Sequence, residues 1–301
     1  MTLRAPFSYF GGKSAIAAEI WKRLGTGADA PRHYIEPFAG SLAVLLARPG
    51  WRSGVRWVET INDLDGLLVN VWRALALKPA EVEAHAQWPV SELDLHARHA
   101  WLRGEREAIT ERLRGDPEWC DPRAAGWWLW GKKCAIGSDW ESDRDLRSIC
   151  RSRPPVQFDL SGLSERLACV RTVSGKWQRP VGSQSALRGS SNWNPVAIYL
   201  DPPYGEGTCY AVGENEGSTA AEVWAWAVDA AEQWPDLRVA VSGYEDGREV
   251  PDGWETLAWK TNGGYGNQGN GTGRANARRE RVWFSPGCIK PDTVRQMELL
   301  T

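Results

Sequence analysis

No stretch of this chain stays apolar for the roughly 18 residues that a membrane-spanning helix needs, and its first residues lack the apolar core of a signal peptide. A soluble cytoplasmic protein is the expectation. The six cysteines (120, 134, 150, 169, 209 and 288) lie far apart, with no C-x-x-C pair, which argues against a zinc site or a disulfide framework and for a reducing compartment. Histidine is scarce at four residues, and His96 and His99 have no further ligand types beside them, so no metal is expected. Charge of one sign is missing as well, since the net charge is only −2. The N-terminal run Gly11-Gly12-Lys13-Ser14 lacks one more thing. A phosphate-binding P-loop needs a glycine five positions before Gly12, and Phe7 stands there, so no triphosphate cradle can form.

What is present is an ordinary globular composition, 301 residues with 42% hydrophobic and 25% charged, plus an unusual 19 tryptophans. The near-neutral total conceals segregated charge. Residues 120–195 carry twelve Lys/Arg against seven Asp/Glu, residues 201–259 carry two against thirteen, and residues 260–301 carry seven against three. A neutral protein with basic segments can bind a polyanion through one face.

Apolar periodicity alternates between strand and helix. A helix is expected from Ser14 to Gly25, a short strand at Tyr34-Ile35, a helix opened by "EPFAGSLAVLLA", a strand over 55–61 and a helix over 64–77. Strands follow at 168–173 and 196–200, a helix at 219–233, then strands at 237–244 and around 255–260 and 280–285. Such alternation predicts a parallel sheet covered by helices on both faces. The segment 76–155 departs from it, with charged helical stretches over about 80–115 and the run "WWLWGKKCAIGSDW". It reads as an inserted, mostly helical domain, which divides the chain into 1–75 with 156–301, and 76–155.

In such a sheet ligands bind outside the carboxyl ends of the strands. After the first strand stands the turn Glu36-Pro37-Phe38-Ala39-Gly40-Ser41, whose glycine lets a ligand approach the backbone. After the second stands Asp63, about twenty residues on, where an acid suits hydrogen bonds to a ribose. After "VAIYL" come Asp201-Pro202-Pro203-Tyr204. Two prolines there stop further pairing and stiffen the backbone, a rigidity that a reacting site needs.

"YFGGK", "EPFAG", "INDLDGLLVN" and "DPPY", in this order, resemble the Dam-type adenine-N6 DNA methyltransferases, over residues 7–75 and 168–285. The resemblance implies a Rossmann-like S-adenosylmethionine-dependent methyltransferase fold with an inserted target-recognition domain. It also implies S-adenosylmethionine as cofactor and double-stranded DNA as partner, for a chain expected to act as a monomer. By position, Tyr9 and Lys13 would contact the methionine end of the cofactor, with Lys13 near its carboxylate. Glu36, Pro37, Phe38, Ala39 and Gly40 would line that pocket, Asp63 would accept from the ribose hydroxyls, and Asp201 would border the cofactor. In the catalytic tetrapeptide, the Asp201 carboxylate and the Pro202 carbonyl suit the two hydrogens of an exocyclic amine, so as to localise a lone pair otherwise delocalised into the base. Pro203 stiffens the turn, and Tyr204 would stack on a base flipped out of the duplex.

This sequence departs from the family at two places. Leu42 occupies the position of a second glycine in the turn. Where the family has Asp-Phe beside the cofactor's adenine, Lys176 and Trp177 stand. Trp177 can supply the aromatic stack, whereas a lysine cannot accept a hydrogen bond from the adenine amino group. Two other readings therefore stay open, the same chemistry on cytosine N4 and a catalytically silent DNA-binding relative. A bacteriophage or host methylase and half of a restriction-modification system are equally compatible with the chain. For the DNA, Lys132, Lys133, Arg151 and Arg153 are expected on phosphates, with the "WWLW" cluster as the core beneath them. Tyr210 is expected near the flipped base, and Arg278 and Arg279 at the end of a loop rich in glycine and asparagine.

Overall fold

The computed structural model describes residues 3–7, 9, 12–51, 57–135, 140, 146, 160–183, 187, 194–203, 216–259 and 279–290. Tyr204, Tyr210, Arg151, Arg153 and Arg278 lie outside the described residues. Seven strands form one sheet: β1 (His33–Glu36), β2 (Val58–Asp63), β3 (Val170–Ser174), β4 (Val196–Leu200), β5 (Arg238–Tyr244), β6 (Glu255–Ala258) and β7 (Glu280–Phe284). Their order is β3-β2-β1-β4-β5-β7-β6. Strands β3, β2, β1, β4 and β5 run parallel, and β7 pairs antiparallel with both β5 and β6.

The central strands are apolar on both sides because both faces are covered. Tyr34, Ala197, Tyr199 and Ala240 point to one face, where they join α1 (Ala17–Leu24) and α3 (Gly66–Leu77) in one buried cluster. Ile35, Ile198, Leu200, Val239 and Val241 point to the other, against Val223, Ala227 and Ala230 of α8 (Glu216–Gln233). This alternation of successive residues is the period of a strand. The result is the expected Rossmann-like architecture, a mostly parallel sheet with helices on both faces.

The segment after α3 is helical: α4 (Pro79–Ala86), α5 (Glu92–Gly115) and α6 (Pro122–Cys134). Each start has a sequence cause. Pro79 and Pro122 open α4 and α6 at positions where a missing N–H costs nothing. The Ser91 hydroxyl accepts from the Asp94 N–H at 3.2 Å, and the Asp121 carboxylate from the Ala124 N–H at 2.8 Å. Val82, Leu95, Leu102, Ile109 and Trp128 share one buried cluster with Leu68 and Trp72 of α3, so these helices and the sheet have a continuous core. Gly126 permits the close approach of α4 and α6, since a Cβ there would lie 2.6 Å from the Val82 carbonyl oxygen. The "WWLW" run lies on α6, with Trp128 and Trp130 buried and Trp127 partly so.

A buried ion cluster ties β2 to two helices. Glu59 receives Arg48 at 2.9 Å, just past α2 (Ala43–Leu46), and Arg166 of α7 (Ser161–Leu167) at 2.8 Å. No helix among the described residues is long and apolar enough to cross a membrane.

Candidate active site

The chain reverses its direction along the sheet between β1 and β4, neighbours whose following segments leave to opposite sides. A crevice outside their carboxyl ends is the place for a ligand in an open α/β sheet. The turn after β1 is held there from several directions. The Ala39 N–H donates to the Asn62 carbonyl at 2.8 Å, the Gly40 N–H to Asp63 Oδ2 at 3.0 Å, and Trp72 Nε1 to the Gly40 carbonyl at 3.1 Å. Gly40 has φ 47°, and a Cβ on it would lie 3.1 Å from the Tyr9 ring. Tyr9 and the turn thus touch.

Leu42, in place of a second glycine, keeps the left-handed backbone at φ 55° with its side chain wholly buried. The strain costs about 1–2 kcal/mol and burial of a leucine returns about 1.5–3 kcal/mol, so burial offsets it. The turn tolerates leucine.

Asn62 carries no signal of its own in the sequence, yet it joins the loops after β1 and β3. Its Nδ2 donates to the carbonyls of Pro37 and Gly175, both at 3.0 Å. Its Oδ1 and the Ser174 hydroxyl are buried and meet no partner among the described residues. Asp63 stands beside it, accepting from Gly40 and, through Oδ1, from the Asp65 N–H at 3.0 Å. Burial pushes the Asp63 carboxyl up to about 6 against these backbone donors.

Asp201 follows β4 directly. Its two oxygens receive the Lys13 ammonium at 2.9 and 3.0 Å, and Lys13 is only 3% exposed. The lysine expected beside the cofactor's carboxylate is therefore committed to the acid of the tetrapeptide. Pro202 is buried and Pro203 partly exposed. Trp259, at the end of β6, flanks the pair: its ring centroid is 6.0 Å from Lys13 Nζ, and its buried indole N–H meets no acceptor among the described residues.

Several expectations need correction. Glu36 is 2% exposed beneath the turn, where it accepts from the Tyr34 hydroxyl at 2.9 Å, so it does not line the open pocket. Burial raises its carboxyl to about 8, and the nearby Asp201 charge pushes the same way. Burial thus favours the neutral form of Glu36, while Asp201 has the Lys13 ammonium on its carboxylate. Trp177 packs inside the second buried cluster, stacked on Phe38 at 6.2 Å and edge-on to Trp226 at 5.6 Å, because the hydrophobic gain of that cluster outweighs exposure of an indole. Phe38 is the more exposed ring of the two, and Lys176 points to solvent. Lys132 is 5% exposed, packed at the inner end of α6, and so is no outer phosphate anchor. Lys133 is half-buried, while Arg279 is exposed and donates through Nη2 to the Glu245 carbonyl at 2.9 Å.

Among the described residues no group of three or more His, Cys, Asp or Glu could hold a metal ion. No curated protein matches the chain. Among solved structures it is similar to the rRNA methyltransferase aviRa from Streptomyces viridochromogenes, at 16% identity and a TM-score of 0.33 over 91% of this chain and 85% of that one. Residues 9–93 match the family model described as D12 class N6 adenine-specific DNA methyltransferase. This is the span that carries Tyr9, Lys13, the glycine turn, Asn62 and Asp63, and over it the chain is similar to the D12 class N6 adenine-specific DNA methyltransferases.

Proposed function

We propose that the protein methylates the N6 amine of an adenine flipped out of double-stranded DNA, with Asp201, Pro202 and Tyr204 around the base and S-adenosylmethionine seated on the turn at Gly40. The observation that carries this reading is the Lys13–Asp201 ion pair at the carboxyl end of β4, beside that turn. The residues present fit the cofactor. The turn is bare of side chain at Gly40, Asp63 retains lone pairs for ribose hydroxyls, and the unpartnered Asn62 Oδ1 and Ser174 hydroxyl offer acceptors for an adenine amino group where Lys176 cannot. When bound, the cofactor supplies an electrophilic methyl group on a sulfonium.

The chain's own part is to prepare the amine. Asp201 and the Pro202 carbonyl accept from its two hydrogens and draw the nitrogen toward a tetrahedral shape, which raises its nucleophilicity. Lys13 fixes the carboxylate's orientation and balances its charge. The Pro202-Pro203 backbone holds the carbonyl in place at no entropic cost during the reaction. Tyr204 stacks on the base, and the crevice excludes water from the reacting nitrogen.

The test is incubation with methyl-labelled S-adenosylmethionine and mixed-sequence DNA, followed by digestion and identification of the labelled nucleoside. N6-methyldeoxyadenosine is expected. Label in N4-methyldeoxycytidine would move the target to cytosine, and an unlabelled digest with intact DNA binding would identify a silent relative.

A further inference from the structure

We infer that Trp259, the residue after strand β6, is a specificity-determining residue for the target base: its indole N–H donates to N7 of the flipped adenine, a ring nitrogen that cytosine lacks. The inference rests on the function proposed above and adds to it a contact that separates the two amino bases.

The sheet brings Trp259 to the site. Strand β6 is antiparallel to β7, and β7 to β5, so β6 runs in the same direction as β4 and ends at the same edge, where Asp201 stands. The Trp259 backbone N–H donates to the Glu280 carbonyl at 3.3 Å, which carries the ladder one residue past β6. Leu257 and Trp259, two residues apart, both pack against the buried cluster that holds Ala197 and Tyr199 of β4. Their side chains therefore lie on one face of the sheet. Lys13 spans the gap to the catalytic acid. Its Nζ is 6.0 Å from the Trp259 ring centroid and 2.9 and 3.0 Å from the two Asp201 oxygens.

The indole N–H is buried and meets no acceptor among the described residues. A buried donor without a partner costs free energy, and an acceptor brought by the substrate recovers it. Nearby donors are committed: Lys13 to both Asp201 oxygens, and the Tyr199 hydroxyl to Ser242 at 2.7 Å. The rest of the Trp259 side chain is partly exposed, which leaves a base an approach to it. The chemistry of the two amino bases names the acceptor. Beside its amine adenine carries N1 on one side and N7 on the other, whereas cytosine carries N3 and a C5–H. Asp201 and Pro202 accept from amine hydrogens that both bases have, so they do not choose between them. A donor on the N1 side fits either base. A donor on the N7 side fits adenine and faces carbon in cytosine, which leaves the buried N–H unpaired, and a site of that kind rejects the wrong base strongly.

The test uses the full chain and duplexes carrying the sequence methylated in the labelling experiment above, with either adenine or 7-deazaadenine at the target. The analogue replaces only N7 by a C–H and keeps the amine. The unmodified protein should favour adenine by about tenfold in kcat/KM, the loss of one hydrogen bond to a buried donor. Trp259→Phe, which keeps a ring and removes the donor, should methylate adenine about tenfold more slowly and treat the two duplexes alike. Trp259→His, with a ring N–H, should recover part of the preference. A tryptophan that only packs would slow both substrates in proportion and leave their ratio unchanged in Trp259→Phe. That result, or equal rates on both duplexes by the unmodified protein, would overturn the inference with adenine methylation still standing. Absence of methyl transfer to adenine by the unmodified protein would overturn the proposed function and the inference with it. Should Trp259→Phe fail to fold, Trp259→Leu, which also lacks a donor, is read in the same way.

Discussion

Glu36 and Asp201 are two carboxylates at the ends of adjacent strands with opposite fates. Glu36 is buried and raised to about 8, mainly by that burial, whereas Asp201 has the Lys13 ammonium on both oxygens. One is shielded beneath the turn and the other faces a buried ammonium. The raised carboxyl has a consequence for stability. Between the ordinary glutamate range and about 8 the folded state binds a proton that the unfolded state has lost, so stability falls as pH rises through that window. Asp63, raised to about 6, adds the same sign over a lower and narrower range. Glu36→Gln should flatten the decline in melting temperature between about pH 6 and pH 8, with little change at pH 5. An equally steep decline in the variant would mean that Glu36 is ionised in the folded protein. At Asp201 the reaction is the readout. Asp201→Ala should bind the cofactor within a few fold and lose about three orders of magnitude or more in turnover, since it removes an interaction strengthened in the transition state. Retention of a tenth of the activity would rule it out as the amine acceptor. Lys13→Met should lower kcat by about tenfold to a hundredfold with a smaller effect on KM, as befits a residue acting through Asp201. Sequence points to Lys13, Gly40, Asp63 and Asp201 because motifs name residue types at fixed spacings. It cannot show the partner of Lys13, which lies 188 positions away.

At the scale of elements, the strands are readable because both sheet faces are covered, and "VAIYL" and "LRVAVSGY" are apolar enough to declare it. The α6 helix is harder to read. Four aromatic and aliphatic residues in a row have neither the period of a strand nor that of a surface helix, and only packing against α3 and α4 decides. The cluster of Arg48, Glu59 and Arg166 leaves no trace in the pattern either, since charged residues in a strand and a helix read as surface. Each is nevertheless 3% exposed or less, and together they join β2, α7 and the end of α2 behind the glycine turn. Removing one member strands the charge of another in the interior. Arg166→Met should destabilise the fold by about 3–5 kcal/mol in denaturant titration, the usual cost of breaking a buried pair from one side. Replacing Arg48, Glu59 and Arg166 together by apolar residues of similar volume should cost far less, because no uncompensated charge remains. A loss under about 1 kcal/mol in Arg166→Met would show that water reaches the cluster.

For the molecule as a whole, charge decides how DNA can approach. The segment 201–259, with thirteen acidic residues against two basic, includes α8, β5 and β6, a side that would repel duplex phosphates. The basic bias lies in 120–195 and again beyond 260, so on the function proposed above the DNA would approach the side of α6 and of the start of β7, where Arg279 is exposed. Within the expected footprint Lys132 is removed by its burial, and Lys133, Arg151 and Arg153 remain as the candidates for phosphates. Neutralising these three should weaken binding to every duplex by a similar factor. It should also reduce the slope of log K against log salt by about 2 to 3, since each phosphate left without its cation lowers it by about 0.9. Preference for the methylated sequence should survive, because phosphate contacts position the duplex and base contacts select it. Adding Lys132→Met to the triple variant should leave the salt slope where the triple variant put it, because a lysine that is buried meets no phosphate. Titrations of specific and scrambled duplexes at several salt concentrations measure all of this. An unchanged slope in the triple variant would place the DNA on another face, and a further drop on adding Lys132→Met would return that lysine to the phosphates.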